Sequence, residues 1–168
     1  MKKTDTTNLK PPAKAGWSKI INPKDVAGSN RLDLSLISPV AMMEESLAMM
    51  EGLIKYGRAN FVGSKIECML YIGACFRHLF KFICGEDRDP KTGVHHLASA
   101  RACLGIILEC QARGKLFDNR PPRMRGFSKL LDSFEAKVKH LRSIYPGFNP
   151  KHWTIADNVE DPPMVIPD

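Results

Sequence analysis

The stretch Gly85-Glu86-Asp87-Arg88-Asp89-Pro90-Lys91-Thr92-Gly93 joins two long segments of helical periodicity, and its reading decides the fold. Before it, Ser64 can cap a helix from Lys65 to about Cys84. Ile66, Met69, Leu70, Gly73, Phe76, Leu79, Phe80 and Ile83 recur there at helical spacing. At about 1.5 Å per residue this helix is ~30 Å long, the full height of a bundle. Gly85 ends it. Asp89-Pro90 and Thr92-Gly93 then form a turn that enters a further helix, from about Thr92 to Arg113, stopped by Gly114. The middle of that helix, Ala98 to Ala102 and Gly105, is small enough for a neighbouring backbone to come close.

Outward from this pair, Ser38-Pro39 is a good helix start, with serine as N-cap and proline at the first helical position. Val40, Met43, Leu47, Met50 and Ile54 make an apolar stripe expected to face the core, and Gly57 is a stop. Residues 58–63 read as a loop. After a basic, proline-containing linker, a fourth helix runs from about Ser128 to Ile144 with Leu130, Leu131, Phe134, Val138 and Leu141 on one face. No alternating strand pattern and no internal repeat is visible. The reading is an all-α bundle of about four helices over residues 31–145. An N-terminal arm (1–30) is expected to be extended or mobile, with Trp17, Ile20 and Ile21 as docking anchors. A C-terminal tail (146–168) is expected to be extended.

The chain has 168 residues and a formal net charge of +7, with pI about 9.3, yet its lysines and arginines are spread along its length. No basic helix face or aromatic-interleaved basic repeat appears, so nucleic acid is not the expected partner. No apolar run approaches the ~20 residues of a membrane span. Met1-Lys2-Lys3 is not followed by an apolar stretch, so no secretory signal is expected and the cytoplasm is the expected compartment. Cys68 and Cys75, and Cys103 and Cys110, stand seven apart on shared helix faces, as buried reduced thiols do, and Cys84 completes the five. A zinc site with His78, His95 or His96 lacks the usual short ligand spacing.

The acidic residues carry the chemistry. Glu44 and Glu45 lie in the first bundle helix, Glu51 is seven residues on, and Glu86 and Asp89 flank the end of the second. Carboxylates projected from facing helices can build a metal site, and oxygen donors suit Mg²⁺ or Mn²⁺. A Glu-Glu pair on a helix is more often a solvated face, and Gly-Glu-Asp-Arg-Asp-Pro is also an acceptable capped turn. Lys55-Tyr56-Gly57-Arg58-Ala59-Asn60-Phe61 places cations and a carboxamide at a helix exit, where the helix dipole favours positive charge. Functionally, Lys55 and Arg58 could neutralise a triphosphate, and Asn60, Phe61 and Tyr56 could touch sugar or base. Arg77-His78 and Lys81 precede Glu86 on the second helix, and His95-His96 opens the third.

In order, Arg31-Leu32-Asp33-Leu34, Pro39, Glu44-Glu45, Lys55-Tyr56-Gly57, Asn60-Phe61, Arg77-His78 and Gly85-Glu86…Asp89…Gly93…His96 resemble the dATP/dGTP diphosphohydrolase family. This is the MazZ-type, largely phage-borne branch of the MazG-like all-α NTP pyrophosphatases. The resemblance spans about Arg31 to Arg113. It implies a helical homo-oligomer, dimer or tetramer, that uses Mg²⁺ or Mn²⁺ to cleave a purine (d)NTP into (d)NMP and pyrophosphate. Some members of the branch supply dGMP for 2-aminoadenine nucleotide synthesis. By the resemblance, Glu86-x-x-Asp89 matches the metal motif ExxD, and Glu44-Glu45 matches the start of EExxE, with Ala48 where its third acid would stand. The implied metal ligands are Glu44, Glu45, Glu86 and Asp89, with Glu44 and Glu45 also catalytic. Lys55, Tyr56, Asn60, Phe61, Arg77, His78, Lys81 and His96 are the implied substrate-binding residues. An HD-type phosphohydrolase is ruled out by the lack of any His-Asp dipeptide. The remaining alternative is a basic helical interaction or nucleic-acid-binding protein without turnover.

Overall fold

A computed structural model describes residues 23–157, and the expected anchors Trp17, Ile20 and Ile21 lie outside them. The chain divides into two units, Met1–Ser38 and Pro39–Asp168. In the first, a short helix α1 (Pro23–Gly28) stands inside the segment read as extended. A 3-10 turn over Leu34–Leu36 follows, capped by Asp33, whose Oδ1 accepts from the Ser35 backbone N–H at 2.9 Å.

The second unit is helical: α2 (Pro39–Tyr56), α3 (Asn60–Gly63), α4 (Cys68–Ile83), α5 (His96–Ala112) and α6 (Phe127–Ile144). The bundle helices fall where the periodicity puts them. Three details differ. The loop after Gly57 contains α3. The start expected at Lys65 is instead a strand residue pair, β1 (Ile66–Glu67), which runs parallel to β2 (Leu116–Phe117) with Ile66 opposite Leu116. Two residues carry too little alternation to announce a strand; tertiary pairing makes this one, with the Ile66 N–H donating to Lys115 O at 3.0 Å. The third difference is the start of α5 at His96 rather than Thr92, because His95 Nδ1 caps it by accepting from the Leu97 N–H at 3.1 Å.

Helix α5 is the centre: α2, α3, α4 and β2 all pack against it. Its Ala98, Ala100, Ala102, Ile107 and Cys110 are buried, and the small side chains let α2 and α4 approach. Ile66, Cys68, Ile107 and Cys110 form the tight core, with Phe61, Tyr71, Ile72, Ile106 and Leu116 around it. All five cysteines are free thiols, as expected, and Cys68, Cys75 and Cys110 are buried while Cys84 is exposed. The backbone N–H of Met69, an orphan donor at the start of α4, is satisfied by Asn119 Oδ1 at 2.9 Å, which ties the chain after β2 to that helix end.

The apolar stripe of α2 does not face this core. Val40, Met43, Leu47, Met50 and Ile54 are 49–81% exposed. The face turned inward carries Ala41, Glu44, Glu45, Ala48, Glu51 and Gly52, all half-buried. Short side chains on both α2 and α5 permit a close helix pair, and the glutamates find arginine partners there. The stripe of α6 is equally uncovered, with its apolar residues from Phe127 to Ile144 47–58% exposed.

Candidate functional site

Gly85 takes φ +93° to end α4, so the chain can turn sharply into the acidic stretch. The turn then closes on itself. Asp89 N–H donates to Val94 O at 3.0 Å, and Asp89 Oδ1 accepts from the Lys91 and Thr92 N–H groups at 3.0 Å each. The Thr92 amide, then that of Lys91, holds the Asp89 carboxyl below the usual carboxylate range. Asp89 is thus ionised and rigidly presented. The Glu86 N–H donates to Lys81 O at 2.9 Å, and its carboxylate reaches Lys81 Nζ at 2.9 Å and His96 Nε2 at 2.6 Å. Lys81 foremost, then His96, keeps Glu86 ionised below its ordinary range.

Glu44, expected to point inward, and Glu45 beside it are both half-buried and engaged by arginines. Glu44 forms a fork with Arg88, whose Nη1 stands 3.2 Å from Oε2 and whose Nη2 bonds Oε1. Glu45 Oε2 accepts from Arg101 Nε at 3.0 Å and lies 2.8 Å from its Nη2. The four carboxylates of the expected ligand set therefore do not converge. Among the described residues, no group of three or more His, Cys, Asp or Glu side chains is placed to hold a metal ion. Arginine is the reason: Glu44 is drawn to Arg88 on the turn and Glu45 to Arg101 on α5.

A cleft of about 840 Å³ lies beside α5, between the C-terminal half of α2, the 57–61 segment and α4. Its volume is in the range of small-molecule sites. Of the residues anticipated from sequence, Lys55, Tyr56, Asn60, Phe61, His78 and Asp89 line it. Glu44, Glu45, Arg77, Lys81, Glu86 and His96 do not. Arg77 is exposed, with Nη1 folded back beside Gly73 of its own helix. Lys81 is engaged by Glu86. His96 is fully buried and sits behind the wall, its Nδ1 3.0 Å from Nδ1 of His78.

Glu51 is a carboxylate on the cleft that was outside the ligand set expected from sequence. It lines the cleft and pairs with Lys55, raising the Lys55 pKa. The spacing signal was present, since Glu51 stands seven residues from Glu44 on nearly the same face. Glu51, Lys55, Asp89 and His78 thus bring two carboxylates, an ammonium and an imidazole to one cleft. Leu70, Tyr71, Ala74, Ala102 and Ile106 supply apolar wall. The segment entering α3 is held in an unusual shape: Gly57 has φ +86° and Ala59, a cleft residue with a Cβ, has φ +53°. Cys110 Sγ donates to Phe61 O at 3.3 Å, fixing that segment to α5.

Residues 21–120 match the family model described as dATP/dGTP diphosphohydrolase, N-terminal. Over 88 residues, 52% of the chain, the protein is 40% identical to a protein of Salmonella phage PMBT28 named dATP/dGTP diphosphohydrolase. The chain spans only 28% of that relative's length. No solved structure matches the chain. The cleft-lining segments of α2, α3, α4 and α5 all fall within the matched residues, which make up more than half of the protein. The chain belongs to the dATP/dGTP diphosphohydrolase family, through that family's N-terminal region.

Proposed function

We propose that the protein hydrolyses a purine (d)NTP, dGTP or dATP, to (d)NMP and pyrophosphate with Mg²⁺ or Mn²⁺, as the name of its phage relative suggests. The observation that carries this reading is the joint placement of Glu51, Asp89 and Lys55 on one cleft of nucleotide-compatible size. Mg²⁺ is often held by only one or two protein carboxylates, with substrate phosphates and waters completing its shell. Two hard-oxygen donors on the cleft fit that requirement, and Glu51 and Asp89 would hold the ion. When bound, the metal neutralises phosphate charge and polarises the oxygens around it. Lys55 adds a positive charge for the triphosphate. The apolar wall and Tyr71 suit a purine, while Asn60 offers a carboxamide to sugar or base. Glu44 and Glu45 act indirectly in this reading, by holding Arg88 of the acidic turn and Arg101 of α5 against α2. In this reading the product dGMP feeds 2-aminoadenine nucleotide synthesis in a phage-infected cell, and the cytoplasm is the matching compartment.

Self-association belongs to the same reading. Among the described residues, nine hydrophobic side chains are buried while thirty-three large ones are exposed. A single copy leaves the α2 and α6 stripes in water, and a second copy of the chain, with its own matching stripes, would cover them. Incubation of the full chain with each dNTP and Mg²⁺, with separation of products, tests the activity. Formation of dNMP and pyrophosphate is expected; dNDP and orthophosphate, or no turnover, would overturn it.

A further inference from the structure

Among the described residues, the cleft carries a cation that no other protein group engages. Its charged side chains are Glu51, Lys55, Arg58 and Asp89. Glu51 and Lys55 pair with each other, and Asp89 is held by the Lys91 and Thr92 amides. The Arg58 guanidinium has no hydrogen bond, ion pair or ring contact among the described residues. By contrast, Arg88, Arg101, Arg113 and Arg120 each grip a carboxylate. The backbone under Arg58 is nevertheless fixed. Gly57 at φ +86° and Ala59 at φ +53° flank it. The Gly57 N–H donates to Leu53 O at 2.9 Å, and the Cys110 thiol holds Phe61 O at 3.3 Å. A left-handed alanine is costly, and such strain gathers where the chain must present a group. A free guanidinium on a braced segment is a ready fork for two oxygens of one phosphate.

Which phosphate it meets follows from the layout. Half-buried Glu51, exposed Lys55 and exposed Arg58 succeed one another towards and past the end of α2. Buried Ala102 and half-buried Tyr71 and Ile106 make the deep, apolar side of the cleft. With the base against that wall and the α-phosphate beside Glu51 and Asp89, the polyphosphate runs outward along this row and ends at Arg58. We propose that Arg58 is the terminal-phosphate contact of the cleft, and that it makes the cleft select a nucleoside triphosphate over a diphosphate. This rests on the diphosphohydrolase reading. In that cleavage the electron pair of the broken bond goes to the β-phosphate oxygen, so the charge on the terminal phosphate hardly changes. Arg58 then grips substrate and transition state alike, which acts on KM rather than on kcat.

The rival role for Arg58 is a cation that answers the negative end of the α2 dipole. Lysine would serve that role equally but lacks the fork. Steady-state kinetics of the full chain with Mg²⁺ and the dNTP it turns over, with the matching dNDP as competing inhibitor, separates the two. Arg58→Met should raise the KM for dNTP about 10–100-fold, the loss of a hydrogen bond to a charged group, with kcat little changed. The inhibition constant of the dNDP, whose phosphates stop short of Arg58, should stay where it was. Arg58→Lys should recover only part of the loss. With an active parent protein, an unchanged KM in Arg58→Met, an equal weakening of dNDP, or full recovery by lysine would overturn the role of Arg58 alone. An inactive parent protein would overturn the diphosphohydrolase reading itself, and this contact with it.

Discussion

Arg88 Nη1 stands 3.2 Å from Glu44 Oε2 and donates to Gly93 O at 3.0 Å. One guanidinium therefore clamps α2 to the turn that presents Asp89, across a sequence separation of forty-four residues. Charge-assisted forked pairs fix orientation as well as distance. Arg88→Ala should raise the KM for nucleotide or the metal requirement by several-fold, by loosening the turn. In a double-mutant cycle with Glu44→Ala, the double variant should be no worse than the more damaging single one; additive losses would show that the pair does not act as a unit.

The two lysines anticipated as phosphate partners separate sharply. Lys55 lines the cleft, whereas Lys81 serves Glu86 outside it. Lys55→Met should lower kcat/KM by about 10²-fold, as loss of one transition-state charge contact does. Lys81→Met should act weakly on KM. Steady-state kinetics on both variants checks this, and equal losses would reject the assignment.

Ala59 carries φ +53° with no side-chain cap, next to Gly57 at φ +86°. A left-handed conformation is costly for any residue with a Cβ and free for glycine. Ala59→Gly should stabilise the protein by about 0.5–1 kcal/mol, partly offset by a more flexible unfolded chain. Urea unfolding measures the shift; a destabilised variant would mean that the strain is absent in solution.

Acid should weaken the fold through several carboxylates at once. Arg120 holds the Asp118 carboxyl down to about 2 from 3.8, and Glu44, Glu86, Asp89 and Asp157 are lowered too. A carboxyl whose folded pKa is depressed stabilises the fold above its unfolded pKa and loses that contribution as pH falls through the folded value. The stability curve should be flat from these groups above about pH 5 and fall between about pH 4.5 and 2. Asp118→Asn should flatten its lowest part. Thermal unfolding across that pH range decides.

Core and surface apolar residues should respond oppositely. Ile107, 9% exposed beside Cys110, should cost about 2–5 kcal/mol when cut to alanine. Ile54, 81% exposed, should cost almost nothing to a monomer on Ile54→Glu, yet dissociate an assembly that buries it. Sedimentation velocity separates the two cases; an unaltered protein that sediments as a monomer would reject self-association.

The bundle was legible because punctuation that acts locally bounds α2, at Ser38-Pro39 and Gly57, and ends α4 and α5, at Gly85 and Gly114. The α2 stripe was legible as a face but not as a buried one. Periodicity records that a helix has an apolar side, while what covers that side depends on elements elsewhere. The candidate site was half legible for the same kind of reason. Lys55 at the end of α2, Asn60 at the start of α3, His78 within α4 and Asp89 on the turn after it all reach the cleft. Glu44 and Glu45 were diverted by Arg88 and Arg101, partners forty-four and fifty-six residues away.

By itself the sequence determined the helices, their order and the rigid Asp89 turn, since caps, glycines and 3.6-residue spacing act within a few residues of chain. Only the tertiary structure decided which carboxylates share a cleft, that His96 stands fully buried between Glu86 and His78, and which apolar faces stay open. Those outcomes depend on side chains brought together from distant positions, where the nearest opposite charge or vacant hydrogen-bond partner wins, and no local pattern encodes that competition.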